Sequence, residues 1–178
     1  MTTDPLAWLQ GLEGVPSAHA AARDGIDVLL RDRGLRRTSP ELTAVSLLKG
    51  AHASAVLEGS ASTLEEVSQG QGDEIAADAV RLSTELLSLT PLLASAPLQA
   101  VARVHALAGQ ASLPAEELGR PRDAEAAERL RGVAEVLRVS DAPALLVAAV
   151  VHAEVATAAP FASHNGIVAR AAERLVMV

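Results

Sequence analysis

The chain has 178 residues and a formal net charge of −7, and 49% of its residues are hydrophobic although only 1% are aromatic. The lack of cysteine excludes disulfides and thiolate chemistry, and the negative charge with so few aromatic rings argues against a nucleic-acid partner. Ala, Leu and Val must therefore form the core of a single domain spanning residues 1–178, and since Ala is the best helix former, the composition predicts an all-α fold.

The first half of the chain reads as a series of helices. Asp4-Pro5 opens a short helix, and a second helix passes through Ile26–Leu30. Ser39-Pro40-Glu41 combines a cap residue, a proline at the first helical position and an acid in the first turn, which is typical of a helix start. Apolar residues then recur every three or four positions to Glu58, where Gly59 ends the helix.

The second half contains one irregular stretch and one unusually apolar helix. Residues 112–122 show no alternation of apolar and polar side chains around a turn, so no β-hairpin is predicted there. His105, on an apolar helix face before that stretch, is interpreted as a structural histidine. Residues 145–158 are almost wholly apolar, which predicts a helix buried on most of its circumference at the centre of the domain.

A short loop, residues 160–166, separates this apolar helix from the last one. It ends in Asn165-Gly166 just before a helix start, where unpaired backbone N–H groups can bind an anion. Asn-Gly is equally typical of an ordinary tight turn between two helices. The sequence pattern alone leaves both interpretations open.

The two ends of the chain bear on location and association. The N-terminus lacks the features of a signal peptide, and the longest apolar run is interrupted by His152 and Glu154 before it could cross a bilayer, so we expect a cytoplasmic protein without a membrane partner. The last helix runs apolar to Val178 without a cap. We expect either that the full-length protein continues beyond it, or that this helix packs on a protein partner or a second copy.

The loop resembles the signature of the Fic (Fido) family, His-Pro-Phe-x-(Asp/Glu)-Gly-Asn-Gly-Arg-x-x-Arg, when that signature is placed over residues 159–170. The matching residues are Pro160, Phe161, Asn165, Gly166 and Arg170. The resemblance implies a compact helical domain around a central buried helix. It also implies that an anion or nucleotide is bound by Ser163, His164, Asn165, Gly166 and Arg170.

Four signature positions depart from the family pattern. Ala159 stands where the family has its catalytic histidine, and Ser163 stands where it has the metal-binding acid. His164 replaces a loop glycine, and Ile167 replaces the first arginine. A methyl group cannot accept a proton, and a serine hydroxyl is a poor ligand for Mg²⁺. We therefore expect no catalytic residue of the family type, no metal site and no transfer of AMP.

A second motif resembles the inhibitory motif of many Fic proteins, (Ser/Thr)-x-x-x-Glu-(Gly/Asn). Its residues here are Ser54, Glu58 and Gly59, at the end of a helix predicted over about residues 40–58. The resemblance implies that the Glu58 carboxylate lies within salt-bridge distance of Arg170. Fic proteins usually carry a β-hairpin flap before the signature loop, and we expect that flap to be reduced or absent here, with residues 119–122 as its remnant.

Three functions remain open on this basis. The first is a degenerate Fic-fold protein that acts as a non-catalytic nucleotide-binding, anion-binding or regulatory module, with ATP or another phosphate-containing compound as its ligand. The second is a Fic-type nucleotidyl or phosphoryl transferase with altered chemistry that uses His164. The third is a helical protein-interaction domain with a vestigial pocket.

Overall fold

The computed structural model describes residues 4–32 and 39–178. Within these two ranges all regular structure is helical and no strand occurs, which confirms the predicted all-α class. The helices are α1 Ala7–Gln10, α2 Val15–Arg31, α3 Pro40–Leu57, α4 Leu64–Ser68, α5 Glu74–Glu85, a 3₁₀ turn Leu86–Leu89, α6 Thr90–Ser95, α7 Pro97–Ala108, α8 Ala124–Val139, α9 Ala144–Ala158 and α10 Asn165–Val176.

Polar side chains fix where three of the longer helices start. The Ser39 hydroxyl accepts a hydrogen bond from the Leu42 N–H at 3.2 Å, so α3 begins at the predicted position. Asp73 caps α5 and Asp123 caps α8, through carboxylates that accept from the third N–H of each helix at 2.9 and 2.7 Å. These caps satisfy N–H groups that would otherwise lack acceptors.

The central helix of the domain is α10. It packs against α9, α7, α3, α5 and the 3₁₀ turn. Half of its residues are buried, and these are Ile167, Val168, Ala169, Ala171, Ala172 and Leu175. The prediction that residues 145–158 form the centre was wrong, because α9 packs chiefly on α10 and α8 and buries only one face. Its other face exposes alanines 149, 153 and 156, whose small methyl groups cost little in water.

Helix α2 lies outside this core. No residue of α2 is buried, and the helix packs chiefly on α1. Ile26, Val28 and Leu29 are between 42% and 66% exposed, so α2 presents an apolar surface to solvent. Met177 and Val178, after α10, are exposed as well. Among the helices of the described ranges, none is both long and apolar enough to traverse a bilayer.

The irregular segment between α7 and α8 contains no strand and lies against the loop that precedes α10. The Arg122 N–H donates to the Pro160 carbonyl at 2.9 Å. Gly119 has φ +71°, and a Cβ there would come within 2.7 Å of the Ala102 carbonyl oxygen. Glycine is needed at this position because both the left-handed backbone and the close approach exclude a side chain.

The central place of α10 predicts a large difference between two residues near its end. Leu175 is 2% exposed, so we expect Leu175→Ala to lower the free energy of unfolding by about 2–5 kcal/mol. Met177, at 43% exposure, provides a matched control whose change to alanine should cost less than about 0.5 kcal/mol. Urea unfolding followed by circular dichroism measures both, and equal losses would contradict this assignment.

Candidate functional site

The loop from Ala159 to His164 begins and ends with a residue in the left-handed backbone conformation. Ala159, after α9, has φ 43°, and His164, before α10, has φ 59°. They are the two non-glycine residues with positive φ in the described ranges. Because each such conformation is costly for a residue with a Cβ, the contacts around the loop must hold it in place.

Asn165 provides part of that restraint. Its side-chain oxygen accepts from the Phe161 N–H and its amide nitrogen donates to the Phe161 carbonyl, both at 2.9 Å. The amide therefore pairs with both backbone groups of one residue, as a neighbouring strand would. The side chain of Asn165 thus shapes the loop, and the anion-binding role expected of Asn165 stays a prediction.

A buried pair of rings also holds this loop in place. Phe161 is 1% exposed and stacks on His105, with ring centroids 4.0 Å apart and planes inclined by 12°. The His105 ring is fully buried, as predicted for a structural histidine, and its Nδ1 accepts from the Gly119 N–H at 2.9 Å. Burial, with a smaller contribution from nearby His164, lowers the pKa of His105 to about 4. The ring is therefore neutral at pH 7.

Ser163 and His164 belong to a hydrogen-bonded chain that ends on a buried carboxylate. The Ser112 hydroxyl donates to Asp78, which is 1% exposed, at 3.1 Å. The same oxygen is 3.1 Å from His164 Nε2, so Nε2–H donates to it. In the neutral ring, Nδ1 then accepts from the Ser163 hydroxyl at 2.7 Å. The buried carboxylate also pairs with Arg81 and accepts from the Ala111 N–H.

A second cluster brings the end of α3 to the start of α10. Arg170 Nη2 lies 2.7 Å from Glu58 Oε1, which is the ion pair that the sequence predicts. The guanidinium also donates to Ser54, from Nε to the hydroxyl at 2.8 Å and from Nη2 to the carbonyl at 3.2 Å. The side chains of Arg170 and Glu58 are only 29% and 18% exposed. Hydrogen bonds between partly buried charged groups are stronger than those of an exposed pair.

The Glu58 carboxylate also lies directly against the first turn of α10. A Cβ at Gly166 would collide with Glu58 Oε1. The N–H groups of the first turn have no acceptor within the helix, and the helix dipole makes this end positive. A carboxylate of the chain itself thus neutralises the end of α10 where the sequence predicts an anion.

The predicted site residues fall into two groups. Ser54, Glu58, Gly166 and Arg170 come together at the α3–α10 contact. Gly59 follows Glu58 with φ 98° and turns the chain out of α3, and its N–H donates to the Val56 carbonyl at 3.0 Å.

Ser163 and His164 face the Ser112 segment instead. Sequence reasoning missed Asp78 and Ser112, because nothing local in the sequence marks a contact between residues 52 positions apart. Within the described ranges, no group of three or more histidines or acids is arranged to hold a metal ion.

The fold resembles that of a solved Fic family protein. The crystal structure of a Fic family protein from Desulfovibrio desulfuricans G20 superposes on 93% of this chain with a TM-score of 0.78 and 17% sequence identity. This chain spans 58% of the length of that protein. No protein-family model matches the sequence, and no curated protein matches it at a significant level. The chain therefore has a Fic-like helical fold. A sequence identity of 17% supports a conclusion about the fold alone.

The lowered pKa of His105 predicts a specific loss of stability in mild acid. The unfolded chain takes up a proton near the ordinary pKa of 6.5, whereas the folded chain takes it up only near 4, so stability declines as pH falls between these values. By pH 4.5 we expect a loss of roughly 2 kcal/mol.

His105→Gln should show less of this decline when urea midpoints are compared at pH 7 and pH 4.5. The carboxylates with lowered pKa values, Asp4, Glu41, Glu66 and Asp73, lose their contribution at lower pH, below their ordinary values of 3.8 to 4.5. An identical decline in the variant would show that other groups cause it.

Proposed function

We propose that this chain is a regulatory module in which the start of α10 binds a phosphate-bearing ligand such as ATP, and in which Glu58 holds that site closed. The module transfers no AMP. The observation that carries this proposal is the position of the Glu58 carboxylate, between the Arg170 guanidinium and the first turn of α10.

The local charges support an anion at this place. The first turn of α10 offers backbone N–H groups without helical acceptors, and Arg170 adds a guanidinium one turn further on. The Glu58 carboxylate pairs with Arg170 and lies against the first turn, and it comes from the end of α3, 112 residues away in sequence. An internal carboxylate that occupies an anion position will compete with any external phosphate for it.

The side chains of the loop argue against transfer of AMP. Ala159 has no group that could take a proton from an acceptor hydroxyl. Ser163 offers a neutral hydroxyl where the family pattern has an acid, and its hydrogen is directed to His164. His105 is a weak base because its pKa is about 4, and its Nδ1 already accepts from Gly119.

Removing the charge of Glu58 should allow the phosphate-bearing ligand to bind. We expect Glu58→Gln to bind ATP or inorganic phosphate at least about tenfold more tightly than the unaltered chain, because a negative charge near the phosphate opposes binding by more than 1.4 kcal/mol at contact distance. Isothermal titration calorimetry with ATP, ADP and phosphate measures the change.

Two further variants make this titration specific. Glu128→Gln removes a carboxylate from an exposed ion pair with Arg131 on α8 and should leave binding unchanged. Adding Arg170→Gln to Glu58→Gln should remove the gain. The proposal fails if Glu58→Gln binds none of the three compounds, or if the Glu128 variant binds them equally well.

A second candidate function is a nucleotidyl or phosphoryl transferase with altered chemistry. The observation that favours it is the chain from Asp78 through Ser112 and His164 to Ser163, in which an unprotonated imidazole nitrogen lies 2.7 Å from a serine hydroxyl. A hydroxyl with an adjacent base, itself oriented by a third group, is the usual arrangement of an activated nucleophile.

Mass spectrometry separates the two candidates. After incubation with isotope-labelled ATP and Mg²⁺, we expect the intact mass of the chain to remain unchanged, and no labelled protein to appear in a cell lysate. An adduct on Ser163 that is lost in Ser163→Ala would establish the second candidate instead. Ser68→Ala, which removes an exposed hydroxyl on α4, serves as the matched control.

A further inference from the structure

A cleft of about 250 Å³ lies between α3, α5 and α10, beside the Glu58–Arg170 contact. Its walls are mostly small or aliphatic side chains, among them Ala51, Ala79, Leu82 and Ala171. Gly50 also lines it, and a Cβ at that position would meet no atom within 4 Å. The cleft is therefore open space that small residues of α3 leave beside the core.

The cleft carries an uncompensated positive charge. Two arginines line it one helical turn apart, Arg170 and Arg174, and no acidic residue lines it. Glu58 pairs with Arg170. Arg174 donates only a long hydrogen bond of 3.4 Å to the Ser83 hydroxyl, and no carboxylate of the described residues lies within 4.0 Å of it. The remaining stretches, residues 1–3 and 33–38, contain no Asp or Glu.

We propose that this cleft binds a small aliphatic monocarboxylate. The carboxylate pairs with the planar guanidinium of Arg174 and accepts from Ser83, and the aliphatic tail lies along the alanines and leucines of the walls. A monoanion matches the single unpaired charge, whereas a phosphate dianion would leave an excess negative charge among apolar side chains.

The volume limits the size of the ligand. At roughly 30 Å³ for each non-hydrogen atom, as for water in the liquid, the cleft holds about eight such atoms. Hexanoate has that size, with a single charge and a flexible tail. This site is separate from the phosphate site proposed above, although Arg170 borders both.

The test compares hexanoate with two compounds that each lack one of its features. Titration of ¹⁵N-labelled protein, followed by NMR, should show saturable shifts at Ala51, Ser83 and Arg174 with hexanoate. Hexan-1-ol has the tail without the charge. It should bind at least about tenfold more weakly, because it cannot form the charged hydrogen bonds that a carboxylate makes with Arg174. Inorganic phosphate has charge without a tail and should not shift these residues.

Two variants locate the site. Arg174→Gln removes the charge and should weaken hexanoate binding at least about tenfold. Gly50→Leu fills the cleft and should abolish binding while both arginines remain, and leucine is also the better helix former, so the fold should persist. Phosphate binding by Glu58→Gln should survive addition of Arg174→Gln, which keeps a failure here distinct from a failure of the proposed function.

Several results would overturn the proposal. They are an absence of saturable shifts with hexanoate, equal binding of hexan-1-ol, and unchanged hexanoate affinity in either Arg174→Gln or Gly50→Leu. Shifts that phosphate produces at the same residues would likewise replace a carboxylate cleft with a general anion site.

Discussion

The burial of α10 among small side chains is the constraint to which most other features of this fold relate. Ala169, Ala171 and Ala172 are at most 6% exposed, and a helix with such residues on its inner faces allows its neighbours to approach closely. Close packing of this kind supplies many weak dispersion contacts in place of a few large aromatic ones. A core with one phenylalanine can then still bury half of the residues of a helix at its centre.

A buried helix brings its end charges into the interior, and the polar contacts of the site follow from that. The start of α10 is positive and only partly accessible to water, so an internal carboxylate is favoured there. Glu58 places its carboxylate against the first turn of α10, pairs with Arg170 and joins α3 to the core. The loop before α10 is fixed separately, by Asn165 and by the stack of Phe161 on His105.

Much of the local structure could be predicted from the sequence. The caps Ser39, Asp73 and Asp123 mark their helices because capping depends on side chains a few residues from the helix start. The sequence predicts α9 at the centre, whereas the structure has α10 there, and this difference has a physical reason. A run of Ala and Val has the same hydropathy whether it is enclosed or lies on one side of the core, and alanine is compatible with both.

Contacts between segments that are distant in sequence could be predicted only in part. The Glu58–Arg170 pair followed from a resemblance of two motifs, and not from any pattern in the intervening residues. The Asp78–Ser112–His164 chain and the unpaired Arg174 were not predicted, since each depends on how three separate segments meet. Helical periodicity records the direction of a side chain relative to its own helix, and carries no information about which helix lies opposite.

The lack of a side chain at Gly166 makes positions 58 and 166 dependent on each other. Any Cβ there would collide with the Glu58 carboxylate, so the contact between Glu58 and the start of α10 requires glycine whether or not a phosphate binds. A side chain at 166 would be tolerated only together with a change at 58 that removes the carboxylate, so the two positions constrain each other. Glycine at 166 is therefore explained by an internal steric requirement, and its presence is not in itself a sign of nucleotide binding.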